Sequence, residues 1–399
     1  MSFKKKLLLF FLISPTIFFN YLTLTLIDHD QNLSSFSIII ILSLNFINLF
    51  LAYIYFKYNF KVLFSFSIYI IIIILIFDFS LEKIMNKKSI VIEDDELGWT
   101  IKPNADVNFS QETIKRNKYN VEYKSSSMRD FREFGNIESK NQKIIVIGDS
   151  ATGGPYASND KMYYNIIKEI FDKNNLNLEW FVMGTGGFGT VQHYILLTKY
   201  FEMIKPNIIL HQFCVNDFFD NSAEISRLST SHNQYYRRPY FDFDRGKISK
   251  VNNFFAKIYR ILYEYSFIFK KFDQIYEFKQ FRNFGRFKKD IPKELISQSL
   301  KDTEILFFKI RKLIGENVLY FSTNCADDTY FDLTDEWEEI IKNINGIAIV
   351  KPGKHLVKLK KEGLDVYHED GGHLNEEGNR IYGELTADKM IEIIKNEKY

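Results

Sequence analysis

Two short motifs, far apart in the chain, contain residue types that carry out acyl transfer. Gly-Asp-Ser occupies residues 148–150, directly after an apolar run at residues 144–147, and Asp-Gly-Gly-His occupies residues 370–373. Acyl transfer through a covalent ester intermediate requires a serine, a histidine that accepts its proton and an aspartate that orients the histidine. Because α/β proteins place reactive side chains where a strand runs into a loop, Ser150, His373 and Asp370 are candidate catalytic residues.

Two further motifs lie between these, each after a predicted strand. They are Gly-Thr-Gly-Gly-Phe-Gly-Thr at residues 184–190 and Cys-Val-Asn-Asp at residues 214–217. Each motif also has a plain structural explanation. The glycines suit an ordinary loop, with no following Lys-Ser/Thr pair to make it a P-loop, and Asn-Asp favours turns. Gly-Asp-Ser alone is compatible with a turn or a helix cap, and Thr152 excludes the Gly-x-Ser-x-Gly elbow of α/β-hydrolases.

The four motifs, taken in order, resemble the four conserved blocks of the SGNH (GDSL-type) hydrolase family. The resemblance covers roughly Glu96 to Lys395, and the segment from Phe218 to Pro292 is matched poorly. Two positions depart from the family pattern, which has asparagine where Val182 stands and glycine where Cys214 stands.

The resemblance implies a role for each site residue. Ser150 would be the nucleophile, His373 its general base and Asp370 the group that orients the imidazole. The oxyanion hole would consist of the backbone N–H groups of Ser150 and Gly187 and the side-chain amide of Asn216. The implied fold is α/β, a three-layer α/β/α domain with a short parallel sheet. No cofactor is implied, and no Cys/His spacing indicates a metal site.

The order of the predicted elements agrees with this fold class. Strands alternating with helices indicate a parallel sheet covered on both faces. The predicted strands are Lys143–Ile147, Glu179–Met183, Asn207–Phe213, Asn317–Ser322 and Gly346–Val350, and the predicted helices include Tyr163–Asn174, Val191–Met203 and Asn375–Asn396.

The N-terminal part differs in composition from the rest. Leu7–Ile27, Phe36–Phe56 and Val62–Phe79 are apolar stretches, each long enough to cross ~30 Å of hydrocarbon as a helix. No Ala-x-Ala-like site follows the first, which favours an uncleaved helix over a signal peptide. Lysines precede the first stretch and occur in the second loop. We therefore predict that the N-terminus and the second loop lie on the cytoplasmic side. Three crossings then leave the C-terminal part outside, which in a bacterium is the periplasm or cell surface.

We therefore predict three regions. Residues 1–88 form a membrane anchor with three transmembrane helices, residues 89–142 form an extended lead-in packed on the catalytic domain, and residues 143–399 form that domain. An aromatic and basic segment is inserted at about 218–292, with a turn at Asp244–Gly246 and a helical stretch from Val251 to Phe287. Three interpretations of this stretch compete: a lid over the active site, a surface on anionic lipid headgroups, or a helix packed on the core.

Composition adds few constraints on the 399-residue chain. The net charge of +2 argues neither for nor against a nucleic-acid partner, and we predict none. Cys214 and Cys325 are the only cysteines, and the sequence does not say whether they pair.

The function predicted from these features is a membrane-anchored serine esterase or O-acyltransferase facing the periplasm. Its substrates would be acyl esters of envelope polysaccharide or lipid, with a membrane acyl-donor protein as a further partner. Three alternatives stay open. The first is a lipase or lysophospholipase, the second an acetyl-transferring component of polysaccharide assembly, and the third a non-catalytic scaffold that retains the fold.

Overall fold

The computed structural model describes residues 75–80, 82, 91–101, 107–108, 122–123, 142–153, 157–325, 333–368 and 371–396. The chain divides into two units, residues 1–81 and 82–399. In the first unit residues 75–80 are helical. Apart from residues 75–79, the three predicted membrane spans lie outside the described residues. Within the described residues, no helix combines the length and the apolar character needed to cross a bilayer.

The second unit contains strands and helices in alternation. The strands are β1 (Val91–Asp94), β2 (Gly98–Ile101), β3 (Val107–Asn108), β4 (Glu122–Tyr123), β5 (Lys143–Gly148), β6 (Glu179–Gly184), β7 (Ile208–Phe213), β8 (Pro239–Asp242), β9 (Lys247–Lys250), β10 (Leu319–Asn324) and β11 (Ile347–Val350). The helices are α1 (Ser150–Gly153), α2 (Tyr163–Lys173), α3 (Thr190–Ile204), α4 (Asn216–Asp220), α5 (Ala223–Ser226), α6 (His232–Arg237), α7 (Phe254–Tyr265), α8 (Phe267–Phe284), α9 (Lys293–Ile314), α10 (Thr334–Lys342), α11 (Pro352–Lys361) and α12 (Glu376–Asn396), with a 3₁₀ turn at Asn159–Lys161.

Five strands form one parallel sheet in the order β11-β10-β7-β5-β6. Successive side chains of a strand point to opposite faces, so each strand supplies two cores. In β5, Ile145 and Ile147 pack in one apolar cluster, while Ile144 and Val146 pack in the other. A strand buried on both faces requires an uninterrupted apolar run, which is what residues 144–147 provide.

Helices cover both faces of this sheet. Helices α3, α9 and α10 contribute to the cluster on one face, and α2, α11 and α12 contribute to the cluster on the other. The α/β class and the parallel sheet predicted from the sequence are confirmed. The largest shift is in β10, predicted at 317–322 and found at Leu319–Asn324. The carbonyl groups of residues 316 and 318 instead accept hydrogen bonds from the guanidinium of Arg311 in α9. Pairing with β7 begins at Leu319.

The inserted segment carries α5, α6, the β8–β9 hairpin, α7 and α8. The predicted turn at residues 244–246 connects β8 and β9, with Gly246 at a positive φ of 64°. The predicted helical stretch is broken at Ser266, whose hydroxyl caps α8 by accepting from the N–H of Phe269 at 3.0 Å. None of the residues of α8, all of which are described, is buried. The aromatic side chains of α8 therefore do not pack on the core.

Candidate active site

Ser150 lies at the C-terminal end of β5 and begins the single turn α1. Its Oγ is 2.8 Å from Nε2 of His373 and 3.5 Å from Oδ2 of Asp149. The histidine is thus the nearer partner and lies within the distance at which a base accepts a proton. Residues 223 positions apart in sequence form this pair, as the two motifs predict.

A tight loop between α11 and α12 presents His373. The carbonyl of His373 accepts the N–H of His368 at 2.7 Å, and Gly371 has a positive φ of 74°, which glycine adopts without a Cβ penalty. Asn375 secures the loop by donating to the carbonyl of Asp365 at 2.9 Å and accepting the N–H of Gly378 at 2.9 Å. Asp370 lies outside the described residues, so its role as the orienting carboxylate stays a prediction.

The glycine-rich loop after β6 lies opposite Ser150. An added Cβ on Gly186 would lie 3.8 Å from Ser150 Cβ. Gly187 has a positive φ of 77°, a backbone conformation that favours glycine. Trp99 Nε1 donates to the carbonyl of Gly186 at 3.0 Å. That carbonyl and the N–H of Gly187 belong to one planar trans peptide and point in opposite directions, so Trp99 sets the direction of the predicted oxyanion donor.

Trp99→Phe tests this positioning role. It keeps an aromatic ring but removes the bond to Gly186, and losing one neutral hydrogen bond should lower kcat for p-nitrophenyl acetate about tenfold. KM should change little, because the loop is needed in the transition state more than for binding. Trp337→Phe is the matched control, since its Nε1 bonds Ser322 inside the core and not at the loop. Equal kcat losses in both variants would contradict the assignment.

Asn216 reaches the same cavity from the end of β7, but both hydrogens of its amide face carboxylates. Nδ2 is 3.2 Å from Oδ2 of Asp149 and 3.2 Å from Oδ2 of Asp220. To donate to an oxyanion, Asn216 must give up one of these bonds. Burial raises the pKa of Asp149 above its usual value, against the N–H of Ala151 and the charge of His373, which lower it.

Asp220 belongs to a buried ion-pair network that the sequence did not suggest. Arg238 is 1% exposed and donates to Asp220 Oδ1 at 2.6 Å, to the carbonyl of Gly187 at 2.6 Å and to Gln234 at 3.1 Å. Arg286 donates to the same Asp220 oxygen at 3.0 Å. The guanidinium of Arg238 therefore ties the glycine-rich loop to the helix that carries Asn216. The only signal in the sequence was the Arg-Arg-Pro run at 237–239, which has no catalytic pattern.

These groups surround one cavity of about 430 Å³. The structure brings together four predicted site residues on its wall, Ser150, Gly187, Asn216 and His373. The inserted segment contributes seven further lining residues, of which all but Phe281 are polar or charged: Asp220, Ser229, Thr230, Ser231, Gln234, Phe281 and Arg286. The inserted segment thus forms one wall of the site.

Cys214 and Cys325 form a disulfide at the edge of this cavity, with their Cα atoms 4.8 Å apart. Both cysteines follow strand ends, β7 and β10, which are neighbours in the sheet. The bond joins residues 111 positions apart and ties the loop that carries Asn216 to the next strand. Cys214 is the residue that replaces the glycine of the family pattern.

Two sets of side chains in the described part of the chain have the composition of a metal site. In the first, Asp149 with Cys214 and Cys325, both sulfur atoms are used in the disulfide. The second set consists of His193, His211 and Asp217. Both imidazole rings are fully buried, and His193 Nδ1 forms a hydrogen bond of 3.0 Å with His211 Nε2. The other ring nitrogen of His211 is 2.7 Å from the Tyr320 hydroxyl. Hydrogen bonds therefore engage three of the four ring nitrogens, and we assign neither set as a metal centre.

The buried histidines make stability depend on pH. Burial lowers the pKa of His193 to about 4, and burial with the nearby His193 lowers the pKa of His211 well below its usual 6.5. Between pH 6.5 and 4 these two histidines bind protons in the unfolded chain but not in the folded chain. The free energy of unfolding therefore falls as the pH falls from 6.5 towards 4. For His193 this amounts to roughly 3 kcal/mol across that interval. The melting temperature of His193→Gln should fall less steeply than that of the wild type, and parallel profiles would contradict the assignment.

Several solved structures resemble this chain at low sequence identity. No protein-family model and no curated protein matches the chain. Among solved structures, a Clostridium thermocellum family 3 carbohydrate esterase is 12% identical, with a TM-score of 0.38, over 65% of this chain and 100% of its own. The esterase EstA from Pseudoalteromonas sp. is 11% identical (TM-score 0.37; 64% and 100%). A lipase/acylhydrolase from Enterococcus faecalis is 13% identical (TM-score 0.37; 62% and 95%).

Proposed function

We propose that the protein is a membrane-anchored serine esterase or O-acyltransferase of SGNH type that acts on acyl esters of cell-envelope glycans. The observation that carries the proposal is the 2.8 Å contact between Ser150 Oγ and His373 Nε2 in a cavity shared with Gly187 and Asn216. A nucleophile, a base and convergent donors around one reacting atom are the components of acyl transfer.

The mechanism follows from these contacts. His373 Nε2 accepts the proton of Ser150 as Oγ attacks the acyl carbonyl, and the resulting oxyanion accepts from Gly187 N–H and from Asn216. The imidazolium then gives its proton to the leaving alcohol, which leaves an acyl ester on Ser150. Water or a sugar hydroxyl loses its proton to His373 and attacks this ester. The acyl group departs as an acid or as a new ester, and Ser150 regains its proton.

The membrane anchor, and the side of the membrane on which the catalytic unit lies, are parts of the proposal that rest on other observations. Three apolar stretches of spanning length precede residue 80, and lysines flank their cytoplasmic ends. The Cys214–Cys325 disulfide supports an oxidising compartment, because disulfides persist outside the cytosol and are rare within it. Both observations favour a catalytic unit on the extracytoplasmic side.

The substrate class is inferred from the cavity wall. Three consecutive hydroxyl side chains at 229–231, together with Gln234 and Arg286, offer hydrogen bonds to a hydroxyl-rich substrate. A lipase would need an apolar groove for a long acyl chain, and Phe281 is the one large apolar side chain on the described lining. A short acyl group on a sugar fits this wall better than a fatty acyl chain does.

The test uses the full chain in detergent. Release of acetate from an O-acetylated polysaccharide is measured beside hydrolysis of p-nitrophenyl esters of increasing chain length, with Ser150→Ala as the blank. We expect acetate release from the glycan and preference for acetyl over long-chain esters. Preference for long-chain esters with no release from glycan would favour the lipase alternative. Adding an acceptor glycan separates transfer from hydrolysis.

A further inference from the structure

Helix α7 presents an apolar face outward. Its large apolar side chains recur at i, i+1, i+4, i+7, i+8 and i+11, a spacing that places them on one side of a helix. Ala256 and Tyr263, on the opposite side, are the buried residues. Phe255 on the outward side is 75% exposed. The exposed residues of this face are Phe254, Phe255, Ile258, Ile261, Leu262 and Tyr265.

Helix α8 has an outward face that is both apolar and basic. Phe272, Ile275 and Phe278 are exposed, and at 100° per residue they share one side of the helix with Lys271, Lys279 and Arg282. The other side carries Asp273 and Glu277, which face the protein and bond Tyr259 and Asn233.

The charge of α8 is therefore separated between its two sides. Burial raises the pKa of Glu277 to about 7 and that of Asp273 above its usual value. Both carboxyls lie on the protein-facing side of α8, away from the outward lysine and arginine side chains. A face that combines aromatic and aliphatic side chains with lysine and arginine suits the boundary of an anionic bilayer, where rings enter the headgroup region and cations meet phosphates.

The first residue of the second unit is tied to α8 by an ion pair. Glu82, the first residue of the second unit, is 5% exposed and pairs with Lys270 of α8 at 2.6 Å. Lys270 in turn lies 5.3 Å from the ring centroid of Tyr263 on α7. Glu82 follows Phe79, the end of the third apolar stretch, by three residues, which reach at most about 10 Å.

We propose that the outward faces of α7 and α8 dock on the anionic lipid surface of the membrane to which the chain is anchored, which rests on the anchoring proposed above. Phe281 in the last turn of α8 and Arg286, two residues beyond its end, line the catalytic cavity. Docking therefore places the mouth of the site beside the bilayer, where a membrane-linked or newly exported glycan ester reaches Ser150.

The test places a tryptophan on this face of the full chain, reconstituted in vesicles of phosphatidylcholine with roughly 30% phosphatidylglycerol. Phe255→Trp and Phe278→Trp are the probes. Leu364→Trp is the matched control, since Leu364 is 44% exposed and follows α11 on the other side of the sheet. The three native tryptophans are buried and give the background. The quencher is lipid brominated near the headgroup.

We expect bromolipid to quench both probes at least twofold more than the Leu364→Trp control, and the difference to shrink in pure phosphatidylcholine. Quenching equal to the control would overturn the proposal. Protection from aqueous iodide without lipid quenching would also overturn it, because a protein segment or a second copy would then cover the face. An alkaline carbonate wash that strips the chain from the vesicles refutes the anchor. Turnover of p-nitrophenyl acetate in the same vesicles reports the esterase function separately.

Discussion

Ser150→Ala is expected to reduce kcat for ester hydrolysis by at least about 10⁴-fold, because it removes the hydroxyl that lies 2.8 Å from His373 Nε2 and attacks the acyl carbon. The measurement is steady-state hydrolysis of p-nitrophenyl acetate by the full chain. Ser249→Ala is the matched control, since Ser249 lies on the β9 strand of the insertion and does not line the cavity. It should keep wild-type activity.

His373→Ala should cost nearly as much as Ser150→Ala, and the double variant should be no worse than either alone. Groups that act as one unit give such non-additive losses, because removing one already stops the step that uses both. Multiplicative losses in the double variant would contradict a shared proton transfer. Ser150→Ala with more than a tenth of wild-type activity would place the nucleophile elsewhere.

Arg238→Leu is expected to lower the free energy of unfolding by about 3–5 kcal/mol, the usual cost of removing one partner of a buried ion pair. Asp220 would keep Arg286 as its cationic partner but lose Arg238, and the carbonyl of Gly187 would lose its charged donor. Thermal unfolding of the full chain in detergent measures the effect. Arg245→Leu is the control, because that side chain is 80% exposed and pairs only weakly with Asp242.

The Arg238 variant should also lose esterase activity below its melting temperature, because the carbonyl of Gly187 then loses the guanidinium that ties it to Asp220 on α4. Arg238→Leu with Asp220→Leu should recover part of the lost stability, since no buried charge is left without a partner. A melting temperature within two degrees of the Arg245 control would contradict the structural role of the network.

The framework of the site was predictable because it depends on local patterns. Uninterrupted apolar runs marked the strands of the parallel sheet, and the motif at each strand end predicted where Ser150, Gly187 and Asn216 would stand. Parallel strands end at the same edge of the sheet, so these residues converge without any tertiary information. His373 was found by its resemblance to a known block, not by spacing.

The network behind the site was not predictable, because its contacts depend on how distant segments pack. Trp99 and Arg238 come from the lead-in and the insertion, and neither stands in a motif that indicates a partner. The sequence also did not show that α8 is exposed, because Phe272, Ile275 and Phe278 have the spacing of a core-facing helix. Periodicity marks an apolar face but not what covers it.

The most direct test of the central claim is labelling of the full chain with a fluorophosphonate, followed by mapping of the adduct by mass spectrometry. The geometry predicts a single adduct on Ser150, absent from Ser150→Ala and formed far more slowly in His373→Ala, because the probe reacts only with an activated serine. Folded wild-type protein that carries no adduct, or an adduct on another serine, would contradict the claim that Ser150 is the nucleophile.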